Sequence, residues 1–221
     1  RDLFRKLQSM ELAYHRSRAA DPKNYRTMDY RAITIWYLSD DEGQTWREAD
    51  IWWGPTQPSR SGLQEPGVVE LSNGHLFSWL RTDQGSQFGC YSTDGGISWS
   101  PPSATALQSP TSPASIKRIP GSPDLLAVYN DHSGRFPFTP KRRTPLVTAV
   151  SKDDGKTWIT PVVIENAPAG SYCYTAMHFT EDALLLGYFD FRASRQNPLA
   201  NRLLIRRIPM QLPVVPSTPP R

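Results

Sequence analysis

The nine residues YSTDGGISW at 91–99 return in closely related form as LSDDEGQTW at 38–46 and as VSKDDGKTW at 150–158. All three spell Ser-x-Asp-x-Gly-x-Thr/Ser-Trp. They begin at Ser39, Ser92 and Ser151, 53 and 59 residues apart, and a unit recurring at such a period marks a repeat architecture. The formula has the chemistry of a tight turn. An Asp accepts hydrogen bonds from the amides of its own loop, a Gly supplies a positive φ, and a Trp covers the turn by packing into the sheet. Asp41, Asp94 and Asp153, with Trp46, Trp99 and Trp158 as lids, are read as structural on this ground.

Each formula follows a strand-like run: AITIWYLS at 32–39, SQFGCYS at 86–92 and PLVTAVS at 145–151. Strand-like text follows each as well. In GVVELSNGHLFSWLR at 67–81 an Asn73-Gly74 pair separates two apolar runs, a strong hairpin signal. The repeating unit is thus a small antiparallel sheet with the formula at one hairpin, and such sheets arranged radially make a β-propeller. The predicted fold class is all-β. At roughly 55 residues per blade, 221 residues supply about four blades. The 21 prolines and 14 glycines agree, because they disfavour long helices and favour short elements joined by turns. Leu3, Phe4, Leu7, Met10 and Leu12 give the first 20 residues the pattern of a short helix. Five prolines from Pro209 onward read as an extended tail, so the boundaries predicted are 1–208 for the propeller and 209–221 for the tail.

Composition removes several function classes. Hydrophobic residues at 38% and seven tryptophans supply enough apolar surface to offset chain entropy, which argues against disorder. A net charge of +4 is mildly favourable to anionic ligands. It is too small and too scattered for a nucleic-acid footprint, the longest basic run being Lys141 to Arg143. No apolar run approaches the roughly 18 to 20 residues that span a bilayer. Cys90 and Cys173 make neither a disulfide framework nor a metal motif, and they leave the compartment open. His15, His75, His132 and His178 show no metal-ligand spacing, and no glycine-rich phosphate loop precedes a helix, so no cofactor is called for. The opening RDLFRKLQSM has no initiator Met and no apolar signal core, as in a fragment or a processed product.

The three formulae resemble Asp-boxes, the bacterial neuraminidase repeats of the sialidase superfamily. The resemblance implies a six-bladed propeller, which at this unit length needs about 330 residues, so the chain is expected to lack the first blade or two. Asp-boxes also occur in propellers that are not sialidases, and function has to be sought in other residues.

Three segments supply them. In QEPGVVELSNGHLFSWLR, at 64–81, the Asn-Gly turn returns Arg81 to the end of the sheet where Glu65 stands. The segment is similar to the sialidase blade that carries the catalytic glutamate and one arginine of the substrate-binding triad; Glu70 reads as an exposed strand residue. In KRRTPLVTAVSKDDGKTW, at 141–158, the resemblance favours Arg143 as a second triad arginine over its neighbours Arg142 and Lys141. In GSYCYTAMHF, at 170–179, Tyr174 fits the family's tyrosine better than Tyr172. The order Glu, Arg, Arg, Tyr matches the family. Asp29, ten residues before the first box, is the candidate acid/base, with Asp21 as runner-up. The third triad arginine is not found, because the Arg-Ile-Pro runs at 118–120 and 207–209 come in the wrong order to serve.

The residue types suit one chemistry. A sialoside carries a carboxylate on its anomeric carbon, and the planar arginine fork suits bidentate capture of that group. A carboxylate nucleophile would meet charge repulsion there, and sialidases use tyrosine instead. The resemblance therefore implies an exo-sialidase-like hydrolase acting with retention on sialylated glycans or another acidic sugar. Tyr174 is the nucleophile, Glu65 its base, Asp29 the acid/base, and Arg81 and Arg143 the carboxylate clamp. The alternative is a noncatalytic Asp-box propeller that binds glycan or protein.

Overall fold

The computed structural model describes residue 13, residues 32–191 and residues 201–210. The helix pattern in the first 20 residues, Asp21 and Asp29, and the tail beyond residue 210 lie outside the described residues. Among the described residues thirteen strands form four antiparallel sheets in chain order, which is the arrangement of propeller blades. The first sheet pairs β1 (Tyr37–Leu38) with β2 (Arg47–Glu48). It is extended by bridges from Ala32 to Gly62 and from Thr34 to Trp53. The second runs β3 (Gln64–Glu70), β4 (Leu76–Arg81), β5 (Ser86–Ser92) and β6 (Ser103–Gln108). The third runs β7 (Ser115–Arg118), β8 (Leu125–Asn130), β9 (Leu146–Ser151) and β10 (Ile159–Glu165). The fourth comprises β11 (Tyr172–Phe179), β12 (Ala183–Phe191) and β13 (Asn201–Pro209). Beyond that strand, Met210 N still donates to Asp182 O.

Neighbouring sheets share cores. In β8 the run LLAVYN is buried throughout because alternate residues face opposite neighbours. Leu125, Ala127 and Tyr129 pack with Phe77, Trp79 and Leu107 of the second sheet. Leu126 and Val128 pack with Met177, Leu184, Leu186 and Tyr188 of the fourth. Each such fully buried large side chain contributes about 1.5–3 kcal/mol. The first and second sheets meet through Trp36, Leu63, Leu80, Phe88 and Trp99, with the Trp36 and Trp99 rings stacked at 4.6 Å. The first strands of the last three sheets, β3, β7 and β11, touch in sequence. Between them lies a hollow of about 500 Å³, lined in part by Gly67, Val69, Ser115, Lys117, Thr175 and Met177.

The repeated turns have the predicted chemistry. Asp94 Oδ1 accepts from Ser98 N at 2.9 Å and from the Ser92 hydroxyl at 2.8 Å, while Oδ2 accepts from the Ser98 hydroxyl at 2.5 Å. Gly96 N donates to Ser92 Oγ, and Trp99 Nε1 donates to Gly96 O. Asp41 and Asp153 repeat the carboxylate bonds atom for atom. The Thr45 and Ser98 hydroxyls, followed by the amides of the same residues, hold Asp41 and Asp94 down to about 2. Gly96 sits at φ +92°, where a Cβ would be strained. These turns close β1–β2, β5–β6 and β9–β10 at the end of the sheets where β5 and β9 finish. The opposite end, where β3, β9 and β11 start and β4 finishes, gathers the candidate site.

Candidate active site

Glu65 and Arg81 stand together because the predicted hairpin forms. Leu71 N donates to His75 O, Gly74 takes φ +79° at the turn, and Gln64 pairs with Arg81 at the other end. Arg81 Nη1 donates to Glu65 Oε1 at 2.8 Å. Glu70 lies at the turn end of β3, exposed and paired with Leu76.

The register of β3 is irregular in a telling place. Between the pairs Gln64–Arg81 and Gly67–Trp79, β3 uses one residue more than β4, which is a bulge at Glu65 and Pro66. Glu65 adopts φ +49°, a left-handed conformation costing on the order of 1–3 kcal/mol for a residue with a Cβ. β11 repeats the device. Between Cys173–Phe189 and Ala176–Gly187 it also carries one extra residue, and Tyr174 adopts φ +55°. Each of the two strands thus departs from regular geometry at its candidate residue.

The two bulges bring the side chains together from 109 residues apart. Tyr174 Oη donates to Glu65 Oε1 at 3.2 Å, and Arg81 Nη1 lies 3.4 Å from the same hydroxyl. Arg143 completes the group from the loop before β9, with its guanidinium carbon 5.7 Å from the centroid of the Tyr174 ring. Its carbonyl accepts from Tyr172 N, and its Nη1 lies 2.9 Å from Cys173 Sγ. Tyr174 is 46% exposed. Tyr172, by contrast, is fully buried, edge-on to Tyr188 at 6.2 Å, so Tyr174 is the tyrosine that faces the group. Arg142 N bonds Thr139 O within its own turn, and Lys141 adopts φ +64° there.

Beside Glu65 and Arg81 an open hollow of about 470 Å³ is lined by Ala32 to Ile35, Leu63, Gln64 and Pro66. Arg81 Nε is buried without a hydrogen-bond partner among the described residues. Both cysteines are buried free thiols, and burial pushes each of them up. Among the described residues no group of three His, Cys, Asp or Glu side chains is arranged to hold a metal ion.

The match to known proteins agrees with this architecture. A family model described as a BNR repeat-like domain covers residues 12–190. The chain belongs to that family. Among solved structures, the NanB sialidase of Streptococcus pneumoniae is 22% identical with a TM-score of 0.55, covering 78% of this chain and 26% of that one. The sialidase of Trypanosoma rangeli, captured with 2,3-difluorosialic acid as a covalent intermediate, is 18% identical with a TM-score of 0.57, covering 80% and 27%. The intramolecular trans-sialidase of Ruminococcus gnavus, in complex with oseltamivir carboxylate, is 20% identical with a TM-score of 0.55, covering 84% and 42%. The chain thus spans about a quarter of the length of the first two. At these identities the likeness establishes the propeller fold. No curated protein matches the chain significantly.

Within this BNR-repeat chain, two features of the site are not readable from the sequence: the paired bulges and the contact of Cys173 Sγ with Arg143. A proline at position 66, inside a strand, was the available signal for the first bulge. Nothing in the local sequence marks the second.

Proposed function

We propose that the group Glu65, Arg81, Arg143 and Tyr174 is the nucleophile side of a retaining, sialidase-type glycoside hydrolase site. Its substrates are sialylated glycans or glycosides of a related acidic sugar. The observation that carries this reading is the contact of Tyr174 Oη with Glu65 Oε1 at 3.2 Å, flanked by two guanidinium groups. Attack by Tyr174 does not call for a free phenoxide, because Glu65 Oε1 stands 3.2 Å from the phenol oxygen. The proton instead passes to the carboxylate as the oxygen attacks.

In the first step Tyr174 Oη forms a bond to the anomeric carbon while the glycosidic C–O bond breaks. Its proton goes to Glu65, and the departing oxygen takes a proton from an acid, the role proposed for Asp29. In the second step water, losing a proton to that same group, displaces the tyrosine, and Glu65 returns the proton to Oη. Arg81 and Arg143 hold the substrate carboxylate. Arg81, whose Nη1 lies 3.4 Å from the phenol oxygen, also favours the negative charge that develops there.

The test is fluorophore release from an aryl sialoside, with an aryl uronide as the competing acidic sugar. Tyr174→Phe and Glu65→Gln are expected to abolish turnover, a loss of at least about 10²-fold, while leaving thermal unfolding unchanged. With 2,3-difluorosialic acid, mass spectrometry should place the adduct on Tyr174. Binding of sialylated glycan without turnover or adduct would instead mark a noncatalytic propeller that binds through this face.

A further inference from the structure

Arg81 and Arg143 are held in different ways. Arg81 is charge-paired, since Glu65 Oε1 sits 2.8 Å from its Nη1. Around Arg143, no carboxylate among the described residues comes within ion-pair distance, and three consecutive residues of β11 hold it instead, one at its backbone and two at its guanidinium. Tyr172 N donates to the Arg143 carbonyl at 2.8 Å, Cys173 Sγ accepts from Nη1 at 2.9 Å, and the Tyr174 ring lies under the guanidinium carbon at 5.7 Å. Successive residues of a regular strand point to opposite faces, so Cys173 and Tyr174 could not both reach one side chain. The β11 bulge between Cys173 and Ala176, with Tyr174 at φ +55°, removes that restriction.

We propose that Cys173 is a positioning residue for Arg143: its neutral thiol fixes the guanidinium by a weak hydrogen bond, leaving the positive charge uncompensated for an anionic ligand. This rests on the sialidase-type reading of the site. An Asp or Glu at position 173 would orient the arginine equally well but would pair with its charge and compete with the substrate carboxylate. A thiol orients without neutralising, because sulfur is a weak acceptor and this one is fully buried. Burial pushes the thiol up despite the opposing pull of the Arg143 guanidinium, so it remains protonated at neutral pH. Together with the ring contact, this leaves Arg143 ordered and charged beside Tyr174.

The test compares Cys173→Ala, which removes the acceptor, with Cys173→Ser, which keeps one. Turnover of the aryl sialoside is measured alongside the NMR resonances of the Arg143 guanidinium protons. For Cys173→Ala the expected result is a KM raised roughly tenfold with kcat changed less than about twofold, and faster guanidinium rotation. Cys173→Ser should restore the KM to within about twofold of the parent and slow the rotation again. Guanidinium rotation identical in all three proteins would overturn the proposal. So would an equal KM rise in Ala and Ser together with a matching fall in melting temperature, which would mean lost packing. Absence of turnover in the parent protein would count against the proposed function, whereas the guanidinium resonances report on Cys173 by themselves.

Discussion

The first and second repeated turns are built from the same hydrogen bonds but not from the same packing. Asp41 and Asp94 accept equivalent bonds at distances that differ by 0.1 Å or less, and both tryptophans donate Nε1 to the glycine carbonyl three residues before. Yet Trp99 is 4% exposed and Trp46 is 62% exposed. Trp99 stacks on Trp36 of the first sheet, and Trp158, in the third turn, packs with Phe77 of the second. Each buried lid is covered by the sheet before its own, and no described sheet precedes the first. The turn is therefore a self-sufficient local structure. Its tryptophan stabilises the propeller only by joining one sheet to the next.

That separation predicts unequal costs for equal substitutions. Trp99→Ala should produce the largest loss, about 3–5 kcal/mol in urea unfolding, because it empties the contact between two sheets. A loss below 1 kcal/mol would show that the stack on Trp36 does not join them. Asp94→Ala should cost less, about 1 kcal/mol, since its bonds are made at an exposed position in competition with water. It should also remove a pH dependence. Asp94 is held at about 2 in the folded chain against an ordinary value of 3.8. Its contribution is complete above the ordinary value and disappears as pH falls through about 2. Acid unfolding of the parent should then show a loss between pH 4 and 2 that Asp94→Asn lessens.

What could be read from the sequence follows the same division between local and tertiary causes. The repeated turns were legible because their hydrogen bonds span four residues, so the amino acids that make them are adjacent in the text. The Glu65–Arg81 pair was legible one step further out, through the Asn73-Gly74 hairpin that sets the register of β3 on β4. The choice of Arg143 over Arg142 and Lys141, and of Tyr174 over Tyr172, came from likeness to a family rather than from local chemistry. In the structure that choice coincides with tertiary contacts, the guanidinium over the Tyr174 ring and the buried Tyr172 against Tyr188. Apart from Pro66, nothing marks the bulges at Glu65 and Tyr174, because each falls within the first four residues of its strand, where too few residues precede it for a break in alternation to show. Both side chains nevertheless depend on these bulges to face each other.

The smallest expected effect is the sharpest test of the comparison. Trp46→Ala leaves every carboxylate bond of its turn in place and removes only the indole donation to Gly43 O and a largely solvated ring. Unfolding should shift by no more than about 0.5 kcal/mol, the range of surface substitutions. A cost near that of Trp99→Ala would mean that the ring is covered in solution by something the described residues do not include. The equivalence of the turns would then extend to their packing. A small cost would confine the stabilising role of the tryptophan to sheets that have a neighbour on the preceding side, and would leave the turns alike in their local hydrogen bonds but not in their packing.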